Sequence, residues 1–309
     1  MKSIAWFPLL LLFAIFAFPA DAEDTVVLYP PDLTLVREGK VKIFAFRPLG
    51  GPAPVSVNGT GIDPLKGYAL QAGQADLNPG LNLLTVDGIR RRVYYDAKPA
   101  GDRIRVLPEG GEAALEFQAY RIHPALDDGC EGCHAVDGLK LKSKGQKEAC
   151  YACHDNFEKE EGKKKYVHSP VAAGECTGCH DPHFSARAKL QKLEKGCLEC
   201  HDAAAETGSV HYPVRERQCV ACHNPHASGE SRQLVRTGND LCMGCHGSLR
   251  SHHPFGAEGK RPVAVSVPAD FPKSGGQFSC LACHFPHQSA QRRLFRKEQG
   301  ELCKTCHSV

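Results

Sequence analysis

Every cysteine of this sequence lies in a C-x-x-C pair, and every pair is followed at once by histidine: Cys130-Cys133-His134, Cys150-Cys153-His154, Cys176-Cys179-His180, Cys197-Cys200-His201, Cys219-Cys222-His223, Cys242-Cys245-His246, Cys280-Cys283-His284 and Cys303-Cys306-His307. These eight pairs account for all sixteen cysteines. Two thiols three residues apart on a helical turn face the same way. They can add to the two vinyl groups on one edge of a haem, and the histidine that follows can bind the iron as proximal ligand. Disulfides would leave no reason for a histidine after each pair. Zinc ribbons use two C-x-x-C pairs per metal, with histidine after only some of them. The expected cofactors are therefore eight covalently attached c-type haems. Such haem is attached outside the cytoplasmic membrane, so the chain is expected to be exported.

The remaining histidines number one per expected iron: His123, His168, His183, His211, His226, His252, His253 and His287. That is the stoichiometry of bis-histidine ligation. His183, His226 and His287 recur as C-H-x-P-H, three residues after a proximal histidine. Each is tethered on the near side of its own haem, so each is expected to serve a neighbour. His123-Pro124, His168-Ser-Pro170, His211-Tyr-Pro213 and His253-Pro254 precede a cysteine pair, and the proline fixes the local backbone. These features form a repeat. One unit reads His-(x)-Pro, spacer, C-x-x-C-H-x-P-H, a spacer ending in basic and apolar residues, then a second C-x-x-C-H. Three full units start at His168, at His211 and at His252 or His253. A degenerate unit starts at His123, where Ala135-Val136-Asp137 replaces the second histidine. The third full unit carries an insert, Phe255 to Phe278.

Residues 123 to 309 resemble the doubled C-x-x-C-H multihaem cytochrome family, of the octahaem electron-conduit type. The likeness is carried by runs such as Val167-His168-Ser-Pro-Val-Ala-Ala-Gly-Glu-Cys176-Thr-Gly-Cys-His180-Asp-Pro-His183. It implies bis-histidine haems in close pairs, in periplasmic or outer-membrane electron conduits. Partners of that kind are a quinol oxidase, another cytochrome or an outer-membrane porin–cytochrome assembly. The family pattern assigns seven distal ligands, His123, His168, His183, His211, His226, His253 and His287. His252 would be the eighth. The first unit is the weak point, with two haems and one local distal histidine. Saturated irons leave no open position, so no catalytic residue is expected and the protein reads as an electron carrier. The alternative is a nitrite, hydroxylamine or tetrathionate reductase with one open haem. Those families often place lysine where the motif histidine stands, and no C-x-x-C-K occurs here.

The elements that must position these residues differ along the chain. Residues 119–309 hold no isoleucine after Ile122 and are rich in Gly, Pro and Lys, a composition that cannot build an ordinary core. Short helices and loops wrapped around haem are expected there. Residues 23–118 carry short β-branched and aromatic runs at 25–29, 41–46, 55–57, 81–86 and 92–95. Pro30-Pro31, Gly50-Gly51-Pro52, Asn58-Gly59, Pro79-Gly80 and Asp87-Gly88 separate them. Asp87-Gly88 signals a hairpin, and the spacing suggests a small β-sandwich of immunoglobulin-like pattern. This segment has neither cysteine nor histidine and cannot hold haem, but it could dock a partner. Arg90-Arg91-Arg92 reads as a solvated charge run in preference to a docking patch.

Residues 1–22 read as a secretory signal. Lys2 supplies the basic start, Leu9 to Phe18 the apolar stretch and Ala20-Asp21-Ala22 the cleavage site, with the mature chain starting at Glu23. Pro8 and Pro19 bracket an apolar run shorter than the roughly 20 residues a spanning helix needs. No transmembrane segment is expected after cleavage. The location is periplasmic, or extracellular and outer-membrane associated. A net charge of +3 gives no reason to expect a nucleic-acid partner.

Overall fold

A computed structural model describes residues 24–108, 113–135, 139–193, 196–202, 208–247, 273–274 and 277–306. The N-terminal stretch read above as a signal and three candidate ligands, His252, His253 and His307, lie outside them. The chain divides into two compact units. The first runs to Lys142 and includes Pro182–Leu190, and the second holds Ser143–Asp181 and the rest from Gln191.

In the first unit the β-branched runs become strands: β1 (Val26–Tyr29), β2 (Thr34–Val36), β3 (Lys40–Phe46), β4 (Val55–Val57), β5 (Thr60–Ile62), β6 (Lys66–Gly67), β7 (Leu70–Asp76), β8 (Gly80–Val86), β9 (Ile89–Tyr95), β10 (Arg103–Val106) and β11 (Leu115–Ala119). One sheet has the order β1-β3-β7-β6 and the other β10-β11-β2-β9-β8-β4-β5. The second is mixed, because β2 runs parallel to both β9 and β11. The inward alternation of each strand builds a shared core. Val41 and Ile43 of the first sheet meet Val55, Leu84, Val86 and Val93 of the second. Along β8, Asn82, Leu84 and Val86 are buried while Leu81 and Leu83 point outward.

Asp87-Gly88 forms the expected hairpin, with φ of 48° and 82° and Val86 paired to Ile89. Asn58-Gly59 does the same between β4 and β5, at 51° and 83°. Two successive left-handed residues match the right-handed twist of the flanking strands. Strand β7 lacked a sequence signal because its residues, LQAGQAD, have poor strand propensity. Burial holds it in place. The Gln71 amide is sealed in the core, donating to Gly51 O and Tyr68 O and accepting from Ala53 N. Gly73 leaves room for Leu65, whose Cδ2 would lie 2.7 Å from an added Cβ.

The same core carries the first cysteine motif. Ile122 and Leu126 pack against it. Residues 121–122 pair with 184–185, and the Phe184 ring meets Tyr29 at 5.1 Å and Tyr120 at 5.7 Å.

The second unit is built of short helices, α1 (Gln146–Tyr151), α2 (Asp155–Glu161), α3 (Ser169–Ala173), α4 (Tyr212–Arg215), α5 (Gly238–Met243) and α6 (Gln299–Lys304), joined by 3-10 turns and two-residue bridges. Among the described residues beyond Ala119, the only buried hydrophobic side chains are Ala227 and Ala282. These side chains do not close into an aliphatic core of their own. None of the described helices is long and apolar enough to cross a membrane.

Candidate haem-binding site

Among the described residues, seven of the cysteine motifs fold as a single turn that includes the histidine. The amides of the second cysteine and of the histidine both return to the first cysteine's carbonyl, at 3.2 and 3.0 Å for Cys179 and His180 and at the same distances for Cys222 and His223. The first motif of each unit sits in a 3-10 turn: Cys130–Gly132, Cys176–Gly178, Cys219–Ala221 and Cys280–Ala282. The second motif begins in α1, in the turn Gly196–Glu199, in α5 and in α6.

The histidine rings are oriented from behind. His134 Nδ1 lies 3.0 Å from Leu139 O, His223 Nδ1 2.8 Å from Arg232 O and His284 Nδ1 2.9 Å from Arg293 O. His168 and His211 make the same contact with Pro225 O and Pro286 O, each at 2.9 Å. A carbonyl can only accept, so Nδ1–H donates and the lone pair is left on Nε2, as metal-ligating histidines require. The carbonyls that lock His223 and His284 are delivered by consecutive left-handed residues, Arg232-Gln233 at 56° and 55° and Arg293-Leu294 at 57° and 61°. Lys189-Leu190 repeats the turn at 54° and 55°. Side chains with a Cβ adopt this conformation only where the surroundings hold it. The chain then returns to the motif: Lys192 N donates to Cys179 O, Val235 N to Cys222 O and Arg296 N to Cys283 O. The sequence showed these stretches only as spacers ending in basic and apolar residues.

Five of the motif histidines stand opposite spare ones. Ring centroids are 6.0 Å apart for His134–His183, 6.0 Å for His168–His201, 6.1 Å for His180–His226, 6.0 Å for His211–His246 and 5.9 Å for His223–His287. A metal–imidazole bond of about 2.0–2.1 Å and about 1.15 Å from nitrogen to ring centre, from ordinary bond lengths, place two axial imidazoles roughly 6.3 Å apart. The pairs therefore fit an iron held between them. Three are nearly parallel, at 22° to 23°.

The register of these pairs is regular. His168 and His211 face the second motif of their own unit. His183, His226 and His287 face the first motif of the preceding unit. Backbone bonds fix the exchange: His123 N donates to His183 O at 2.7 Å, His168 N to His226 O at 2.8 Å and His211 N to His287 O at 2.9 Å. Next to each bond is a two-residue bridge, 121–122 with 184–185, 166–167 with 227–228 and 209–210 with 288–289. His183 stands opposite His134.

A buried serine follows each of these histidines by two residues: Ser185, Ser228 and Ser289. Ser228 Oγ donates to Leu234 O and accepts from Glu230 N at 3.0 Å. Ser289 likewise donates to Phe295 O and accepts from Gln291 N at 2.9 Å. The serine ties the distal histidine's strand to the left-handed loop. The recurrence Pro-His-x-Ser was present in the sequence and passed unread. Burial holds His287 below the ordinary histidine range, with His223, His211 and Arg232 adding to the effect. The ring is thus kept neutral, the form that binds metal.

Residues 168–206, 211–251 and 272–309 match the protein family described as the doubled CXXCH motif. The first two matches begin at His168 and His211. No curated protein is found to match the chain. The doubled motif points to covalently bound c-type haem, to a multihaem cytochrome and to electron transfer.

Proposed function

We propose that the protein is an exported octahaem c-type cytochrome that passes electrons along bis-histidine haems and has no catalytic centre. The observation that carries this reading is the set of five imidazole pairs spaced for an iron. All sixteen cysteines form the thioethers, and the histidine of each motif is the proximal ligand. The distal ligands are His183 for the haem of His134, His226 for that of His180, His287 for that of His223, His168 for that of His201 and His211 for that of His246. The three remaining spare histidines, His123, His252 and His253, serve the irons of His154, His284 and His307.

Haem held there would supply one-electron chemistry, at the low potential that two neutral imidazole ligands favour. Backbone carbonyls fix His134, His168, His211, His223 and His284 from behind, and paired imidazoles on both sides of each iron would exclude a substrate from the metal. The donor and acceptor are other redox proteins, of the quinol-oxidase, cytochrome or porin–cytochrome kind. The N-terminal domain, immunoglobulin-like in its pattern of strands, serves as the docking module. Cleavage before Glu23 releases the protein outside the cytoplasmic membrane.

The test is the oxidised and reduced spectrum of the mature protein, together with its N-terminal sequence. Wholly low-spin haem that binds no carbon monoxide, on a chain starting at Glu23, is expected. High-spin haem that binds carbon monoxide would favour a reductase.

A further inference from the structure

The pair formed by His134 and His183 is mounted differently from the others. Its rings stand 6.0 Å apart at 22°, and both lie in the compact unit that holds the β domain. Segment 182–190 belongs to that unit, although the motif it follows, Cys176 to His180, belongs to the other. The residue between the spare histidine and the buried serine is Phe184 here, where the later units have Ala227 and Gln288. Of the three, only the phenylalanine is large and apolar. Its ring meets the buried Tyr29 of β1 at 5.1 Å and Tyr120 at 5.7 Å, both edge-on, and packs against the core of the β domain. Side chains alternate along extended chain, so seating Phe184 in the domain turns His183 the other way, toward His134.

Polar links tie the same segment to the domain. Arg121, paired with Ser185 in the bridge, donates to Ala186 O at 2.9 Å and to Asp102 at 3.0 Å. Asp102 also binds Arg37, just after β2, at 2.6 Å. The motif half of the site rests on the same frame. Leu126 packs against the domain core, Lys42 of β3 donates to Asp127, and β7 lies against the turn Cys130–Gly132.

On the axial pairing of His134 with His183 proposed above, we infer that the β domain is the frame of this one iron site, and that Phe184 is the positioning residue that aims its distal ring. The domain's packing around Phe184 and the ligation of this iron are therefore coupled. A change inside the β domain that frees Phe184 or Arg121 alters one haem and leaves the others as they were.

The test is the paramagnetic resonance spectrum of the oxidised full-length holoprotein, with His183→Ala marking the haem concerned. The signal altered in that variant, about one-eighth of the low-spin total for eight expected haems, should also shift in Phe184→Ala. Phe184→Leu keeps the apolar contact and should shift the same signal less, as should Asp102→Asn, which weakens the hold on Arg121. Gly88→Ala loosens the β domain at the β8–β9 turn and should leave every haem signal in place below its melting temperature. An unchanged spectrum in Phe184→Ala, several haems altered together, or an equal shift in Gly88→Ala would overturn the inference. Should Phe184→Ala fail to mature, Phe184→Leu and Asp102→Asn decide, and no shift in either overturns it. A His183→Ala protein with the parent's spectrum would instead sink the axial pairing on which the inference rests.

Discussion

Replacing His226 with alanine removes one ring of the pair it forms with His180, 6.1 Å away. The backbone bond from His168 N to His226 O does not involve the side chain and should survive, so the bridge between 166–167 and 227–228 should hold. The space vacated is flanked by Phe157, whose ring meets His226 edge-on at 4.7 Å. The apolar flank binds water weakly. One of eight expected haems should become high-spin in the ferric state, about one-eighth of the low-spin signal, and should bind carbon monoxide once reduced. His226→Met should restore a low-spin haem at higher potential. Register is tested by combination. In a chain carrying Cys176→Ala, Cys179→Ala and His180→Ala, adding His226→Ala should create no further high-spin haem. An additional high-spin haem in that background, or an unchanged spectrum in the single variant, would refute the assignment of His226 to the preceding unit.

The remaining predictions address the scaffold. Ser228→Ala strips Leu234 O of its donor and Glu230 N of its acceptor, and should cost about 1–2 kcal/mol in chemical denaturation. Gly88→Ala forces a Cβ into a residue at φ 82° and should lower the stability of the β domain by about 1 kcal/mol, read as a fall in its melting temperature. Phe184→Ala opens a gap beside Tyr29 and Tyr120; the ring is only partly buried, so the loss should fall near 2 kcal/mol, below the usual range for a core phenylalanine. Burial raises the Asp32 carboxyl, but hydrogen bonds and charge from Arg92 outweigh it and hold the group below its ordinary range. Its stabilising contribution is therefore present at neutral pH and is lost as the pH falls through the depressed value. Asp32→Asn should cost no more than about 1 kcal/mol at pH 7, since the pair is partly exposed, and the difference from the parent should vanish in acid.

Much of the site was legible in the sequence because covalent chemistry demands fixed spacing. A thiol pair and its histidine must occupy one turn, and the eight motifs could be read directly. The exchange of histidines between units was half legible: the tether at His183, His226 and His287 ruled out their own haems but did not say whether the recipient lay before or after. That choice is made by two-residue bridges, too short to leave a periodic signal. The pairs of left-handed residues at 189–190, 232–233 and 293–294 were not legible either, since none contains glycine or asparagine. They are held by the loop closing on the cysteine motif, a tertiary constraint. In the β domain, strands with branched residues announced themselves. Strand β7 did not, because a buried glutamine and a glycine under Leu65 hold it there in place of propensity.

The central claim is that this chain folds around eight covalent haems, and the mass of the intact, denatured mature protein tests it most directly. Thioether bonds survive unfolding, so the account predicts the mass of the polypeptide from Glu23 plus that of eight haems, with no thiol left to alkylate. A mass short of eight haems, or cysteines recovered as disulfides or as free thiols after metal removal, would contradict it.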